Sequence, residues 1–354
     1  MPDLWVCNVS LPTFVRLTMK LSYFLFTMSI LLAAIACKKG GGPNSSFCGN
    51  LTVIETGIND AFQDIYFLDE QTGFVAGYSG SIYKTTDSAK TWTAVNSPLS
   101  VPVRSLFFTD ALTGYAVGGL NSCSGTGCLV PVGFILKSID GGNNWSQVYT
   151  PTDKTELKSV FFVNTSTGYC AGDNVIFKTT NGGQTWTEYK INNLGAELMQ
   201  IRFTDPMNGY VTCLSDKFVR TTDGGQSWQV SSPGFNAGYH SISISDDVLF
   251  MGGTGKMVKS VNNGQDWTVL PNSPTDISDL QFITKNQGYA LGRGDYSGGD
   301  FGFTYGSLYC TDDGGNSWKG TSRLTNSFFI TAVSFPTPST GYATSNNKII
   351  KIKN

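Results

Sequence analysis

The residues with the clearest chemical potential in this 354-residue chain come in repeated boxes. Six segments fit S/T-x-D/N-x-G-x-x-W: TTDSAKTW (85–92), SIDGGNNW (138–145), TTNGGQTW (179–186), TTDGGQSW (221–228), SVNNGQDW (260–267) and TDDGGNSW (311–318). The first carries Ala89 where the others have glycine. The acidic or amide positions are Asp87, Asp140, Asn181, Asp223, Asn262 and Asp313, followed by Trp92, Trp145, Trp186, Trp228, Trp267 and Trp318. One chemistry for such a loop is Ca²⁺ binding, but that ion takes about 6–8 oxygen ligands and each turn offers one carboxylate. Asn181 and Asn262 also replace the acid with no other change. The alternative is a self-satisfied turn: the Asp or Asn side chain accepts from nearby backbone amides, and Gly supplies the positive φ that follows. The Trp then folds back over the sheet and buries its large apolar surface. The boxes are therefore expected to be structural, with no metal and no cofactor.

Other reactive groups are sparse. Beyond residue 37 there are five arginines (Arg104, Arg202, Arg220, Arg293, Arg323) and a single histidine, His240, which reads as a surface or hydrogen-bonding residue in a connector between the fourth and fifth repeats. No Gly-rich phosphate loop, nucleophile elbow or HExxH segment occurs. Six cysteines lie beyond Cys37. Cys123 and Cys128, in the Gly-rich stretch NSCSGTGC, are expected to pair locally in an oxidising compartment. Cys170 falls in a column otherwise filled by Val and Ala and reads as a small core residue, whereas Cys48 has no evident partner.

The elements that position these residues follow from the period. The box tryptophans are 53, 41, 42, 39 and 51 residues apart. Before each box runs a second element, a Phe followed six residues on by Gly and an aromatic: Phe67…Gly73-Phe74, Phe108…Gly114-Tyr115, Phe162…Gly168-Tyr169, Phe203…Gly209-Tyr210, Phe282…Gly288-Tyr289 and Phe335…Gly341-Tyr342. The fifth unit has lost it and keeps ISISDDVLFMGG, with a shortened turn at Asp246-Asp247. Each unit alternates short β-branched and aromatic runs with turns, about four strands per unit. Counting the fifth gives seven units, so the expected fold is all-β: a seven-bladed β-propeller of four-stranded antiparallel blades. The last unit supplies three strands, and Leu51–Thr56 (LTVIET) is spare, so this N-terminal strand is expected to pair with the C-terminal blade and close the ring.

These motifs carry a resemblance. The boxes resemble the bacterial neuraminidase (BNR, Asp-box) repeat. The combination F-x-(D/N)-x-x-x-G-Y-x-x-G with DGGxTW is more narrowly similar to the photosystem II stability/assembly factor-like propellers, over about residues 60–345. The resemblance implies a seven-bladed, non-enzymatic propeller whose photosynthetic members act as assembly chaperones. Boxes of this kind also occur in sialidases, which use an arginine triad, a Tyr–Glu nucleophile pair and an acid/base Asp. Five arginines and the absence of an Arg-Ile-Pro segment near the start argue against that enzyme. Arg104 and Arg202 can reach a central channel from first strands, so a glycan-binding module or sialidase-like glycoside hydrolase is the alternative. Clustered channel-facing carboxylates with arginines would favour it; a bland channel with an aromatic rim would favour the scaffold.

The N-terminus reads as an export signal. Met19-Lys20 opens a short basic start, Leu21–Ala36 is apolar but short for a span, and Ala34-Ile35-Ala36 precedes Cys37. This resembles a bacterial lipoprotein signal with Cys37 as the lipidated residue, although Ala34 stands where Leu is usual. The expected organisation is a signal segment over 1–37 with its start at Met19, a flexible tether over 38–50, and a propeller over 51–354. The expected location is the bacterial cell envelope, lipid-anchored through Cys37, on the outer membrane facing periplasm or exterior. Removing residues 1–37 leaves 22 basic and 25 acidic residues, which gives no electrostatic case for nucleic acid.

Two features point to a partner. A basic column precedes the boxes (Lys84, Lys137, Lys178, Arg220, Lys259 and Lys351, broken by Cys310) and reads either as solvated strand ends or as a charged ring for an acidic partner. Two insertions, Leu120–Val132 and Arg293–Gly306, fall between second and third strands and so emerge on the face of the interblade connectors. The second carries Arg293, Asp295, Tyr296, Asp300, Phe301, Phe303 and Tyr305, a composition suited to protein contact, with glycan as the alternative.

Overall fold

The computed structural model describes residues 48–120, 133–153, 155–297, 303–322 and 330–354. Seven separate four-stranded antiparallel sheets are arranged as blades, and no helix occurs among the described residues. The first strands of blades one to seven are Phe62–Phe67, Val103–Phe108, Ser159–Phe162, Leu198–Phe203, Tyr239–Ser245, Ile277–Phe282 and Val333–Thr337. The expected closure is present: Asn50–Glu55 pairs antiparallel with Lys348–Lys353, from Asn50 opposite Lys353 to Glu55 opposite Lys348. Cys48, Gly49 and Asn50, read from sequence as tether, belong to this outer edge, and Cys48 is buried.

The Phe…Gly-aromatic element is the cement between blades. The aromatic of each second strand is fully buried, and in every blade but the fourth, whose neighbour has lost the Phe, it stacks on the first-strand Phe of the next blade: Tyr115 on Phe162 at 3.9 Å, Tyr169 on Phe203 at 4.2 Å and Tyr342 on Phe67 at 3.7 Å between ring centroids. The box Trp meets the same Phe edge-on, as Trp186 does Phe162 at 6.1 Å. The glycine before the aromatic is required because its own blade's Phe ring lies where a Cβ would go, as Phe162 does over Gly168. In the fifth unit Asp246 and Asp247 both have positive φ, 49° and 62°, the conformation of a tight two-residue hairpin turn.

The boxes are closed hydrogen-bond units. Thr221 Oγ1 donates to Asp223 Oδ1 at 2.8 Å and accepts from the Gly225 amide, while Asp223 accepts from the Ser227 amide and hydroxyl. The same pattern recurs with Asn181 and Asn262, so amide and acid are interchangeable acceptors here. These bonds hold the carboxyls of Asp87 and Asp140 down at about 2, and that of Asp223 lower still, chiefly through the hydroxyl or amide four residues on.

The basic column belongs to the same cement, a role that neither of its two readings from sequence, solvated strand ends or a charged ring, gives it. Lys137 Nζ donates to the Gly182 carbonyl of the next blade's box at 2.8 Å, beside the bond from the Tyr115 hydroxyl to the same oxygen, and lies 5.3 Å from the Tyr115 ring. Lys84 and Lys178 reach Gly141 and Gly224 in the same way. Blade seven carries no box, so at the sixth junction a lysine would find no such carbonyl. There the column holds Cys310, disulfide-bonded to Cys48 across 262 residues of sequence, and the Tyr289 hydroxyl bonds Asn354 instead. Cys48 thus has a partner that spacing alone does not suggest. Cys170 and Cys213 are buried free thiols, whereas Cys123 and Cys128 lie outside the described residues, as does Cys37.

Candidate functional site

The central channel is built by the inner edges of the seven first strands, and it encloses about 760 Å³. Its upper layer depends on β-bulges. In blades one, two, five and six the register of first against second strand slips at Gln63, Arg104, His240 and Ser278, and each of these lines the channel. An extra residue at a bulge re-aims a side chain that simple alternation would send elsewhere. His240 is therefore a channel residue on the first strand of blade five, not a connector residue, and burial pulls its imidazole below its usual range.

The channel mouth carries a paired ion network. Arg104 Nε donates to Glu156 Oε1 at 2.7 Å and its Nη1 to Gln63 at 2.7 Å, with the Tyr78 ring at 5.7 Å. Lys158 bridges Glu156 at 3.6 Å and Glu197 at 2.9 Å. Every charge in this group has a partner, and Glu156 is buried.

One layer deeper, side chains bolt each blade to the next. Asp64 accepts the Leu106 amide, Ser105 that of Val160, Ser159 that of Ile201, Gln200 that of Ile242, Ser241 that of Leu280 and Asp279 that of Val333. Blade seven has Ala332 in this column, and the Ile65 amide turns to Asp64 Oδ1. Burial pushes the Asp64 carboxyl up to about 7 against the pull of the Leu106 amide, and the neighbouring Asp279 charge adds to the rise; burial also raises Asp279.

The deepest layer is two-sided. Tyr66, Phe107 and Phe161 form an arc with centroids 5.8 and 5.2 Å apart, ended by Arg202, whose guanidinium lies 5.8 Å from the Phe161 ring centroid. Ser243, Gln281 and Ser334 complete the ring, each accepting an amide of the next blade, from Phe282, Phe335 and Phe67. The channel is thus not bland: arginines and carboxylates cluster in it, the arrangement expected of the glycan-binding or hydrolase alternative. Arg104 and Arg202 reach it as expected, while Asp64, Asp279, Glu156 and the aromatic arc escape single-residue inspection. Aligning the repeats exposes the two aspartates, because Asp64, Ser105, Ser159, Gln200, Ser241 and Asp279 form one polar column inside apolar strands.

The blade-six insertion is an arm and not a loop. Its second strand runs Gly288–Ser297 and its third Phe303–Thr311, and pairing continues past Arg293 opposite Gly306 to Ser297 opposite Phe303. A register shift between Arg293 and Tyr296 absorbs Gly294 and Asp295, and β-forming Tyr296, Phe303 and Tyr305 carry the ladder outward. Asp300 and Phe301 lie outside the described residues, as does most of the Leu120–Val132 insertion.

Asp64 gives a test by pH. The unfolded carboxyl titrates near 3.9, so between about 4 and 7 the folded chain holds a proton that the unfolded chain has lost. The stability this contributes is complete below about 4 and is lost as pH rises through 7. Asp64 borders an open cavity and keeps part of its solvation, so the effect should be about 1–2 kcal/mol and not the full value of the shift. Asp64→Asn should flatten the fall in melting temperature between pH 5 and 8, whatever it does to the absolute value. An unchanged slope would show that Asp64 is ionised throughout.

No protein-family model matches the sequence, and no curated protein matches it at a significant level. The fold has many solved counterparts. A structure of YCF48 bound to D1 peptide is 18% identical with a TM-score of 0.66, covering 86% of this chain and 97% of the other. YCF48 from Cyanidioschyzon merolae is 16% identical, with a TM-score of 0.66 and coverage of 86% and 98%. A streptogramin B lyase is 12% identical with a TM-score of 0.64, covering 86% and 97%. At these identities the likeness is one of fold, and it includes a peptide-bound structure and a lyase alike: the chain is similar in architecture to YCF48 over nearly the whole of the solved YCF48 chains.

Proposed function

We propose that this chain is a non-enzymatic scaffold of the bacterial envelope, lipid-anchored through Cys37, that holds a protein partner against the connector face of its propeller. The observation that carries the reading is the blade-six arm, a paired hairpin extending the second and third strands beyond the blade on that face, with Tyr296, Phe303 and Tyr305 in its strands. Aromatic residues are enriched among those that carry binding energy at protein interfaces, and this arm brings three together in sequence. Two further facts support it. The fold is similar to YCF48, one structure of which holds a peptide. The Cys48–Cys310 bond suits an oxidising compartment, as export would provide. The repeat motifs, with their likeness to photosystem II assembly factor-like propellers, agree with the scaffold role.

The test compares capture from native envelopes by the intact chain and by a variant in which a short Gly-Ser linker replaces residues 294–305. A protein held only by the intact chain supports the reading and locates its surface. Equal capture by both chains would rule out the arm, and binding to polysaccharide with no protein captured would favour a glycan-binding module.

A further inference from the structure

Among the described residues, one cation of the channel has no carboxylate within ion-pair distance. Arg104 and Lys158 at the mouth both hold carboxylates. Among the described residues no carboxylate comes within ion-pair distance of Arg202. Its one hydrogen bond runs from Nη1 to the carbonyl of Ile201 at 2.8 Å, and its guanidinium lies against the Phe161 ring. A guanidinium has five N–H donors in a flat fork that matches a carboxylate, and it stays protonated. Two nearby acids, Asp279 and Asp64, favour its charge from beyond ion-pair distance, but their oxygens are otherwise engaged: Asp64 by the amides of Ile65 and Leu106, Asp279 by the Ser241 hydroxyl and the Val333 amide.

The surroundings of Arg202 are also donor-rich. At Phe67, Phe282 and Phe335 the amide facing the preceding blade is taken by Ser334, Ser243 and Gln281. The equivalent amides of Phe203 and Ile244 follow Phe161 and Arg202 around the ring, and neither of those side chains carries an acceptor for them. Beside this cluster lies the arc of Tyr66, Phe107 and Phe161, each half-buried and lining the cavity. Opposite stand Ser243, Gln281 and Ser334, able to meet polar edges. About 760 Å³ is within the range of small-molecule sites.

We propose that the channel binds a small organic acid carried on a six-membered ring, its carboxylate on Arg202 and its flat face on Phe107 and Phe161. The shared chemistry could come from a uronic acid or an aromatic acid. The ligand enters through the mouth between Gln63, Arg104 and His240. The proposal is independent of the scaffold reading, since it uses neither the arm nor the anchor.

The test is calorimetric titration of the full chain with D-glucuronate and with benzoate, set against uncharged D-glucose and benzyl alcohol. At least one acid should bind about tenfold or more tightly than its uncharged counterpart, as expected for a charge-assisted hydrogen-bonded pair. Binding of glucuronate alone identifies a sugar acid, and binding of benzoate alone an aromatic one. Arg202→Met should weaken that acid by about tenfold or more. Arg202→Lys, which keeps the charge but not the fork, should fall between, and Phe161→Leu should weaken acid and uncharged analogue alike. Lys84→Met, in the cement far from the channel, should leave affinity unchanged, and melting curves establish that each variant is folded. The proposal is overturned if neither acid binds, if the uncharged compounds bind as well as the acids, or if folded Arg202→Met and Arg202→Lys both bind like the parent.

Discussion

Phe162→Ala should lower the stability of the propeller by about 3–5 kcal/mol, and its melting temperature by about 5–15 °C. Phe162 is buried and belongs to two blades at once. Tyr115 of blade two stacks on one face at 3.9 Å, Trp186 of its own blade's box meets its edge at 6.1 Å, and Gly168 accommodates the ring from below. Removing the ring leaves a cavity at a joint between blades, and stability in repeat architectures resides largely in such joints. It also unseats Tyr115, whose hydroxyl shares the Gly182 carbonyl with Lys137. Phe162→Leu keeps most of the volume and should cost less, about 1–2 kcal/mol. Urea titrations of the two variants make the comparison. A loss below about 1 kcal/mol for Phe162→Ala would mean that the stack is not what joins the blades.

How much of this was legible depends on how local each feature is. The boxes and the Phe…Gly-aromatic element complete their chemistry within a few residues or with an identical neighbour, so they recur at fixed period and reveal blade number, strand order and the closing strand. The channel is different. A bulge inserts one residue into a first strand and reverses the face of what precedes it, so the alternation that reads a strand from sequence fails at Gln63 and His240. The unpaired state of Arg202 is likewise a relation among blades one, four and six, and no window of sequence contains it. The blade-six arm was misread because its glycines suggested a loop, whereas pairing across the hairpin, together with a register shift at Gly294 and Asp295, carried the strands on. For the basic column, two readings stood until the carbonyls of Gly141, Gly182 and Gly224 were seen beneath Lys84, Lys137 and Lys178.

Opening the Cys48–Cys310 bond should destabilise the protein by about 2–5 kcal/mol and do so from one place. The bond closes a stretch of 262 residues, so in the unfolded chain it removes a large amount of conformational freedom. In the folded chain it sits at the junction where the column holds neither lysine nor arginine, and it fixes the residue two before the closing strand. Without it, Asn50–Glu55 is held by its ladder to Lys348–Lys353, the Glu55–Lys348 ion pair at 2.6 Å and the Thr56 hydroxyl on the Asn347 carbonyl. An exposed ion pair of this kind contributes little. Amide exchange should therefore accelerate first in Asn50–Glu55 and in the last strand of blade seven, with blades two to four protected as before. Cys310→Lys, which restores the column residue of five blades, should not rescue stability, because blade seven presents no box carbonyl to receive it. Cys48→Ser and Cys310→Ser should match each other and the reduced parent in melting temperature. If exchange instead accelerated evenly around the ring, or Cys310→Lys were as stable as the oxidised parent, the bond would not be the latch of the closing strand.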